Sequence, residues 1–477
     1  MNDSTSTSNG CLGLVGLGVM GGNLARNAAE KGVRVVAYER DPDMRARFAK
    51  SELGGAVELV DDLEALVAAL PRPRAILLMV TAGDAVDQVI ADLRRHLDEG
   101  DAIADGGNSL WADTERRAKA LLERDLHLLG MGVSGGAEGA RRGPCMMPGG
   151  TRRAWEAFRP ALEPMAARTA DGPCVAHMGP GGAGHFVKMV HNGIEYGQMQ
   201  LLAEGYELAR RVMGASNAAT AELFARWNAG ALDSFLVEIS AKILTVDDAD
   251  GTPLVEHVLD RAEQKGTGRW TVMSALEVGI PIPTIAAGLD ARSLSSRLEL
   301  RQRLAARVAP SGTGAAASVT ADFDGDALGG AVLLGFVASF AQGFDLLGAW
   351  STERRWNLPF ATIARIWQGG CIVRARLLET LKAGFERGGG SIHLFEDAAV
   401  FELIERHLGD LRRVVASAAK SGVAVPALSA SLSYIDALRS ARLPTSLVQA
   451  QRDAFGAHGF RRVEDPTGAP QHVDWLG

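Results

Sequence analysis

Up to about residue 180 the chain alternates short, β-branched apolar runs with helically spaced segments, and this alternation constrains the fold more than any other feature. CLGLVGLG, VRVVAYER, AILLMVT, AIADGG and HLLGMGVSGG read as strands. Adjacent parallel strands need a crossover, and a helix between successive strands supplies it. The pattern predicts an α/β, Rossmann-type doubly wound domain over 1–180, a parallel sheet with helices on both faces. From about 181 the strand signals nearly vanish, and 181–440 is expected to be a large all-α domain. Within it, the Gly-, Ala- and Asp-rich stretch from 309 to 330 reads as an exposed loop. Residues 441–477 read as an irregular C-terminal tail, too short to bury a core of its own.

Composition narrows the class. The 477 residues are 47 % hydrophobic and 22 % charged, as in ordinary globular chains. A net charge of −7 speaks against a nucleic-acid partner, though a local basic cluster can still bind an anionic substrate. The start, MNDSTSTSNG, lacks the basic and apolar regions of a secretion signal, so a cytoplasmic protein is expected. The longest apolar stretch, 328–344, contains Gln342 and is followed by Asp345, which reads as a buried core helix and not a membrane partner. Cys11, Cys145, Cys174 and Cys371 are widely scattered, with no CxxC or His cluster; reduced thiols and no metal are expected.

LVGLGVMG sets Gly16, Gly18 and Gly21, with Leu17, Val19 and Met20 between them, after an apolar strand and before a helical pattern. Such a turn brings backbone close to a pyrophosphate and aims a helix N-terminus at it, so a dinucleotide cofactor is expected here. Glu39 follows at about the spacing, roughly 20 residues, where an acidic residue holds the adenosine ribose. Its charge, with Asp41, would repel a 2′-phosphate and favour NAD over NADP. Arg40 argues the other way, because a guanidinium can stack on adenine or pair with that phosphate.

GHFVKMVHNGIEYG, residues 184–197, places Lys188, His191, Asn192 and Glu195 at i, i+3, i+4, i+7, one stripe of a helix otherwise covered by apolar residues. Buried there, the amine and the carboxyl should acquire shifted pKa values. DGGNS (105–109) and GVSGG (132–136) each follow a strand, where open sheets bind ligands.

Together with GLGVMGGNLARN, GVSGGAEGARRGPCMMPGG, GAGHFVKMVHNGIEYGQMQL, QKGTGRWT, QGGCIVRA and LVQAQRDAFGAHGF, these segments resemble the 6-phosphogluconate dehydrogenase family of the β-hydroxyacid dehydrogenases almost end to end. The resemblance implies oxidative decarboxylation of 6-phosphogluconate to ribulose 5-phosphate in the pentose phosphate pathway. It makes Lys188 the general base at the 3-hydroxyl and Glu195 the acid that protonates C1 of the enediol. It puts Asn108, Ser134, Gly135, Gly136, His191 and Asn192 at the sugar-acid end of the substrate. Tyr196, Lys265, Thr267, Arg292, Arg452 and His458 fall at the phosphate end. Val80, Thr81, Ala82 and Asn108 join the cofactor set. It also implies a homodimer in which each tail, with Arg452 and His458, crosses to the partner.

Two departures bear on the cofactor. VTAG has Thr81 where many relatives carry lysine, and Glu39, Arg40 and Asp41 stand where NADP enzymes of the family carry Asn-Arg-Thr. A dehydrogenase of a small unphosphorylated acid would not need Lys265, Arg292 and Arg452 together. A silent nucleotide sensor would not need Lys188 and Glu195 on one stripe.

Overall fold

The computed structural model describes residues 10–307, 321–389 and 393–477. In the N-terminal part β1 (Cys11–Val15), β2 (Arg34–Tyr38), β3 (Glu58–Val60), β4 (Ala75–Leu78), β5 (Ala102–Asp105), β6 (His127–Ser134) and β7 (Cys145–Gly150) form one sheet. It alternates with α1 (Val19–Glu30), α2 (Pro42–Ala49), α3 (Leu63–Ala68), α4 (Asp84–Leu93), α5 (Trp111–Leu122), α6 (Gly136–Arg142) and α7 (Arg152–Met165). The strand order is β3-β2-β1-β4-β5-β6-β7, so the winding reverses between β1 and β4.

Period-two alternation puts the strands between two cores. On β4, Ala75 and Leu77 pack with Leu24, Phe158 and Leu162 on one face, while Ile76 and Leu78 pack with Leu66, Val86 and Leu93 on the other. Both faces being covered, the strands read as nearly continuous apolar runs. The expected parallel sheet holds through β6, but β7 runs antiparallel to it. Only the seven residues of α6 and a short turn separate the two strands, too little chain for a parallel crossover. The three-residue β3 was too short to leave a pattern.

After the small β8 (Arg168–Thr169) and β9 (Gly172–Pro173) the described chain is helical. The helices are α8 (Ala183–Arg211), α9 (Asn217–Asn228), α10 (Phe235–Ile243), α11 (Thr267–Val278), α12 (Pro283–Ser295), α13 (Leu298–Ala305), α14 (Gly325–Arg354), α15 (Phe360–Ile366), α16 (Leu377–Arg387), α17 (Ala398–Lys420), α18 (Pro426–Leu438) and α19 (Thr445–Gly456). α14 is long and apolar enough to cross a membrane, yet its apolar window is wholly buried in the protein. Gln342, buried within it, accepts the N–H groups of Thr284 and Ile285 and donates to Thr284 Oγ1, which satisfies the start of α12. The loop expected over 309–330 ends earlier: Asp324 caps α14, accepting from Ala327 N–H, and the helix is under way by Gly325. The first part of that loop lies outside the described residues.

By compactness the chain divides into Met1–Ser431 and Leu432–Gly477. The second unit is more ordered than its sequence predicts. Asp453, fully buried, accepts from Gly459 N–H at 2.8 Å, His472 Nδ1 at 2.9 Å, Val473 N–H at 3.2 Å and Trp475 Nε1 at 2.7 Å. One carboxylate thus gathers the irregular strand of residues 457–477 around α19. Burial raises its pKa, but these hydrogen bonds outweigh burial and hold the carboxyl well below its usual range.

Candidate active site

The glycine turn lies at the carboxyl end of β1, where the winding of the sheet reverses, the place at which open α/β sheets take ligands. Gly16 has φ +98°, and a side chain there would meet Met79 O at 2.6 Å. A Cβ on Gly21 would stand 2.0 Å from Gly16 O, so only glycine lets α1 begin this close to the strand. Gly18 caps α1 without a side-chain bond and faces open space, leaving the first turn free to meet an anion.

Beside the turn is a cleft of about 340 Å³ whose walls include Gly16, Gly18, Glu39, Arg40, Val80 and Thr81. Both oxygens of Glu39 accept backbone donors, Leu17 N–H at 2.7 Å and Asp41 N–H at 3.0 Å, which fixes the carboxylate against the glycine turn. Asp41 is turned to another task, capping α2 by accepting from Asp43 and Met44 N–H. Leu17, Val19, Met20, Asp41 and Ala82 flank the cleft in sequence and are not among its walls. Met44, Ala85, Gln88, Val89 and Asp92 do line it, and the sequence reading missed them. For the four on α4 the one signal was its amphipathic spacing, which marks a packed helix equally well; Met44 lies on α2.

The polar stripe lies on α8. Lys188 is only 6 % exposed, because Gly132 of β6 lets the helix lie directly on the strand: a Cβ there would be 2.2 Å from that of Lys188. The lysine Nζ is 3.5 Å from His191 Nδ1, and that nitrogen is 3.1 Å from Asn192 Oδ1 and 4.0 Å from Glu195 Oε2. His191 Nε2 lies 3.3 Å from Ser134 Oγ, so the serine at the end of β6 joins the same cluster. Asn192 donates to Thr267 Oγ1 at 3.3 Å. The Arg292 guanidinium stacks 3.5 Å over the ring of Tyr196.

These surroundings push the two ionisable groups toward neutrality. Burial lowers the pKa of Lys188, opposed by the charge of Glu195 and weakly by Cys371 and Cys145. Burial raises that of Glu195, opposed by Lys188 and Arg292. His191 is held well below its ordinary value by burial and by the charge of Lys188, so it is a neutral hydrogen-bonding group.

Gly135 and Gly136, both at positive φ, carry the chain from Ser134 into α6. Asn108 is exposed at the tip of the Asp105–Ser109 turn, and Lys265 is exposed just before α11. Arg452, bonded to Gln449, and His458, edge-on to Phe455, belong to the C-terminal unit. The cysteines are free, and Cys145, Cys174 and Cys371, far apart in sequence, are all buried. Burial pushes the Cys145 and Cys174 thiols up, and the nearby Cys371 adds to both shifts. Outside this site, Asp248, Asp250 and His257 bring possible metal-ligand atoms within 4.8 Å of one another, all on exposed residues.

A dinucleotide turn at the sheet's point of reversal, together with a buried amine and a half-buried carboxyl on either side of one histidine, fits the class of nicotinamide-dependent dehydrogenases. Residues 11–179 match the NAD binding domain of 6-phosphogluconate dehydrogenase, and 184–475 match the 6-phosphogluconate dehydrogenase C-terminal domain. The chain belongs to the 6-phosphogluconate dehydrogenase family. It is 48 % identical to the decarboxylating 6-phosphogluconate dehydrogenase of Synechococcus elongatus, over 97 % of this chain and 99 % of that one. It is 43 % identical to the NADP(+)-dependent, decarboxylating enzyme of Bacillus subtilis, over 98 % and 99 %. The Plasmodium falciparum 6-phosphogluconate dehydrogenase, solved with its cofactor NADP+ and with its substrate 6-phosphogluconate, superposes with a TM-score of 0.93 at 39 % identity, over 97 % of this chain and all of that one.

Proposed function

We propose that this chain oxidises 6-phosphogluconate at C3 and decarboxylates it to ribulose 5-phosphate and CO2, with NAD preferred to NADP. The observation that carries the reading is the cluster of buried Lys188 and His191 with half-buried Glu195, in a chain that also has a dinucleotide turn. The test is steady-state turnover of 6-phosphogluconate with each cofactor.

The turn fits a dinucleotide, since Gly16 and Gly21 keep side chains out of it and Gly18 leaves the start of α1 open. A nicotinamide dinucleotide held there supplies the acceptor for hydride from C3. Neutral Lys188 takes the 3-hydroxyl proton as that hydride leaves. The product is a β-keto acid, and protonated Lys188 donates a hydrogen bond to its 3-carbonyl oxygen, into which the electrons of the breaking C–C bond flow as CO2 departs. Glu195, protonated, gives its proton to C1 of the enediol while Lys188 takes back the proton of the enol oxygen, which leaves the ketone. Neutral His191, between the two, orients both without competing for the proton. Arg292, stacked on Tyr196, offers a guanidinium fork to the substrate phosphate.

The protonation states set the pH profile. A neutral amine requires pH above the pKa of Lys188, and a protonated carboxyl requires pH below that of Glu195. Burial moves the first down and the second up, so it favours the neutral pair over the ion pair carrying the same single proton. A bell-shaped kcat/KM is expected, with the acid limb from Lys188 and the alkaline limb from Glu195. Glu195→Gln should lower kcat by about 10²–10⁴ and lose the alkaline limb while keeping the acid one. An unchanged alkaline limb would take Glu195 out of the acid role.

The preference for NAD rests on Glu39. Its carboxylate is anchored by two backbone N–H groups, so a 2′-phosphate would meet a charge that cannot swing away. Asp92 adds a second carboxylate to the same cleft, against the single guanidinium of Arg40. The kcat/KM ratio should favour NAD, and Glu39→Asn should move it toward NADP by about tenfold, the equivalent of ~1.4 kcal/mol. A wild-type preference for NADP would mean that Arg40 prevails.

The working form is a homodimer with exchanged tails. In its support, Leu276 and Leu294 of the helical region and Leu447 and Phe455 of the tail are exposed apolar side chains on the single chain. The free thiols suit a reducing compartment, the cytoplasm.

A further inference from the structure

Arg117, on α5, is 3 % exposed and takes no part in the chemistry above, yet its guanidinium reaches three elements. Its Nε and Nη2 donate to the two oxygens of Asp87 on α4, at 3.0 and 2.8 Å. Nη2 also donates to Gly83 O at 3.0 Å, the residue that follows the Val80–Ala82 cofactor loop. Nη1 lies 3.4 Å from Asp105 Oδ2 and 3.5 Å from Ser109 Oγ. Asp105 in turn accepts from Ser109 Oγ at 2.6 Å and Gly107 N–H at 3.0 Å, which closes the turn that presents Asn108.

The network also reaches the helix of the base. His185, three residues before Lys188, lies with Nε2 3.1 Å from Asp105 O and Nδ1 2.7 Å from Thr114 Oγ1 on α5. A carbonyl can only accept, so Nε2 carries the proton and Nδ1 accepts from the threonine hydroxyl. The cofactor loop, the Asn108 turn and the start of α8 are therefore tied by one buried polar network centred on the Arg117 cation, with exposed Arg116 bonding Asp87 at its rim. A fully buried guanidinium is costly to hold unless its donors are met, and here they are met by groups from separate parts of the site.

We propose that Arg117 is a positioning residue that couples cofactor binding to substrate binding, by keeping the Val80–Gly83 loop and the Asp105–Ser109 turn in one register. The inference rests on the function proposed above and names a residue which that function does not use. A lysine at 117 could still pair with Asp87, but a single ammonium cannot also span Gly83 O and Ser109 Oγ with the planar fork of arginine. Coupling then weakens even where the fold is kept.

The experiment titrates NADH into the wild-type protein, Arg117→Lys, Arg117→Met and Asp87→Asn, with and without saturating 6-phosphogluconate, and compares the two affinities. In the wild type, bound substrate should tighten NADH binding, and the Arg117 variants should lose about tenfold of that gain while the affinity for 6-phosphogluconate alone changes little. Asp87→Asn, with its partly exposed side chain, should show a smaller loss in the same direction and decides the matter if Arg117→Met does not fold. An unchanged coupling factor in the folded variants, or equal loss of both separate affinities with coupling intact, overturns the proposal. A wild-type protein that neither binds nor turns over 6-phosphogluconate overturns the functional reading instead.

Discussion

Lys188→Met is expected to fold, to bind NADH with near-native affinity, and to turn over 6-phosphogluconate about 10²–10⁴-fold more slowly than the wild type. Methionine is unbranched and close to the length of the lysine stem, so it fills the space against Gly132 and removes a group whose charge burial already penalises. What it lacks is a basic nitrogen, which on the proposed mechanism removes the 3-hydroxyl proton and, as the ammonium, then stabilises the carbonyl oxygen. The glycine turn is untouched, so cofactor affinity measured by fluorescence titration should persist. Near-native turnover in the mutant would falsify the assignment of the base.

Arg452→Ala is expected to be nearly inactive alone and to regain activity when mixed with Lys188→Met under conditions of subunit exchange. On the proposed homodimer, each mutant would lack one required residue at both sites. If each tail serves its partner's site, a mixed dimer has one site with both residues intact and one with neither, and about half of the dimers formed at equal concentration are mixed. Recovery should then approach about a quarter of wild-type activity, because one site in two works in half of the dimers. The Asp453 carboxylate holds the tail loop around α19, so Arg452 and His458 belong to a formed unit and not to a loose strand. No recovery despite proven exchange would mean that Arg452 serves its own subunit.

Much of this was legible because it is local. The strand-like runs and the helical spacing between them required a doubly wound sheet, and the Gly16–Gly21 turn stood where strand gives way to helix. The i, i+3, i+4, i+7 spacing is enough to put Lys188, His191, Asn192 and Glu195 on one face of a helix. Each inference uses residues within a turn or two of one another, where backbone geometry alone decides which side chains share a face.

The sheet's last strand, the extent of the loop before α14 and the order of the tail differ from what the sequence suggests, and each for a physical cause. β7 turns back because α6 is too short for a crossover. α14 starts sooner because Asp324 caps it. The tail coheres because Asp453 gathers donors from as far along the chain as Trp475.

By itself, then, the sequence determined the fold class, the dinucleotide turn, the family and which side chains could do the chemistry, all of them properties of short segments and their order. Only the tertiary structure decided that Lys188 is buried against Gly132, that Glu39 is pinned by Leu17 and Asp41, and that Arg117 joins the cofactor loop to the Asn108 turn. Protonation and positioning depend on desolvation and on partners brought from distant parts of the chain, such as Gly132 beside Lys188 and Gly83 beside Arg117, and no local pattern encodes those meetings.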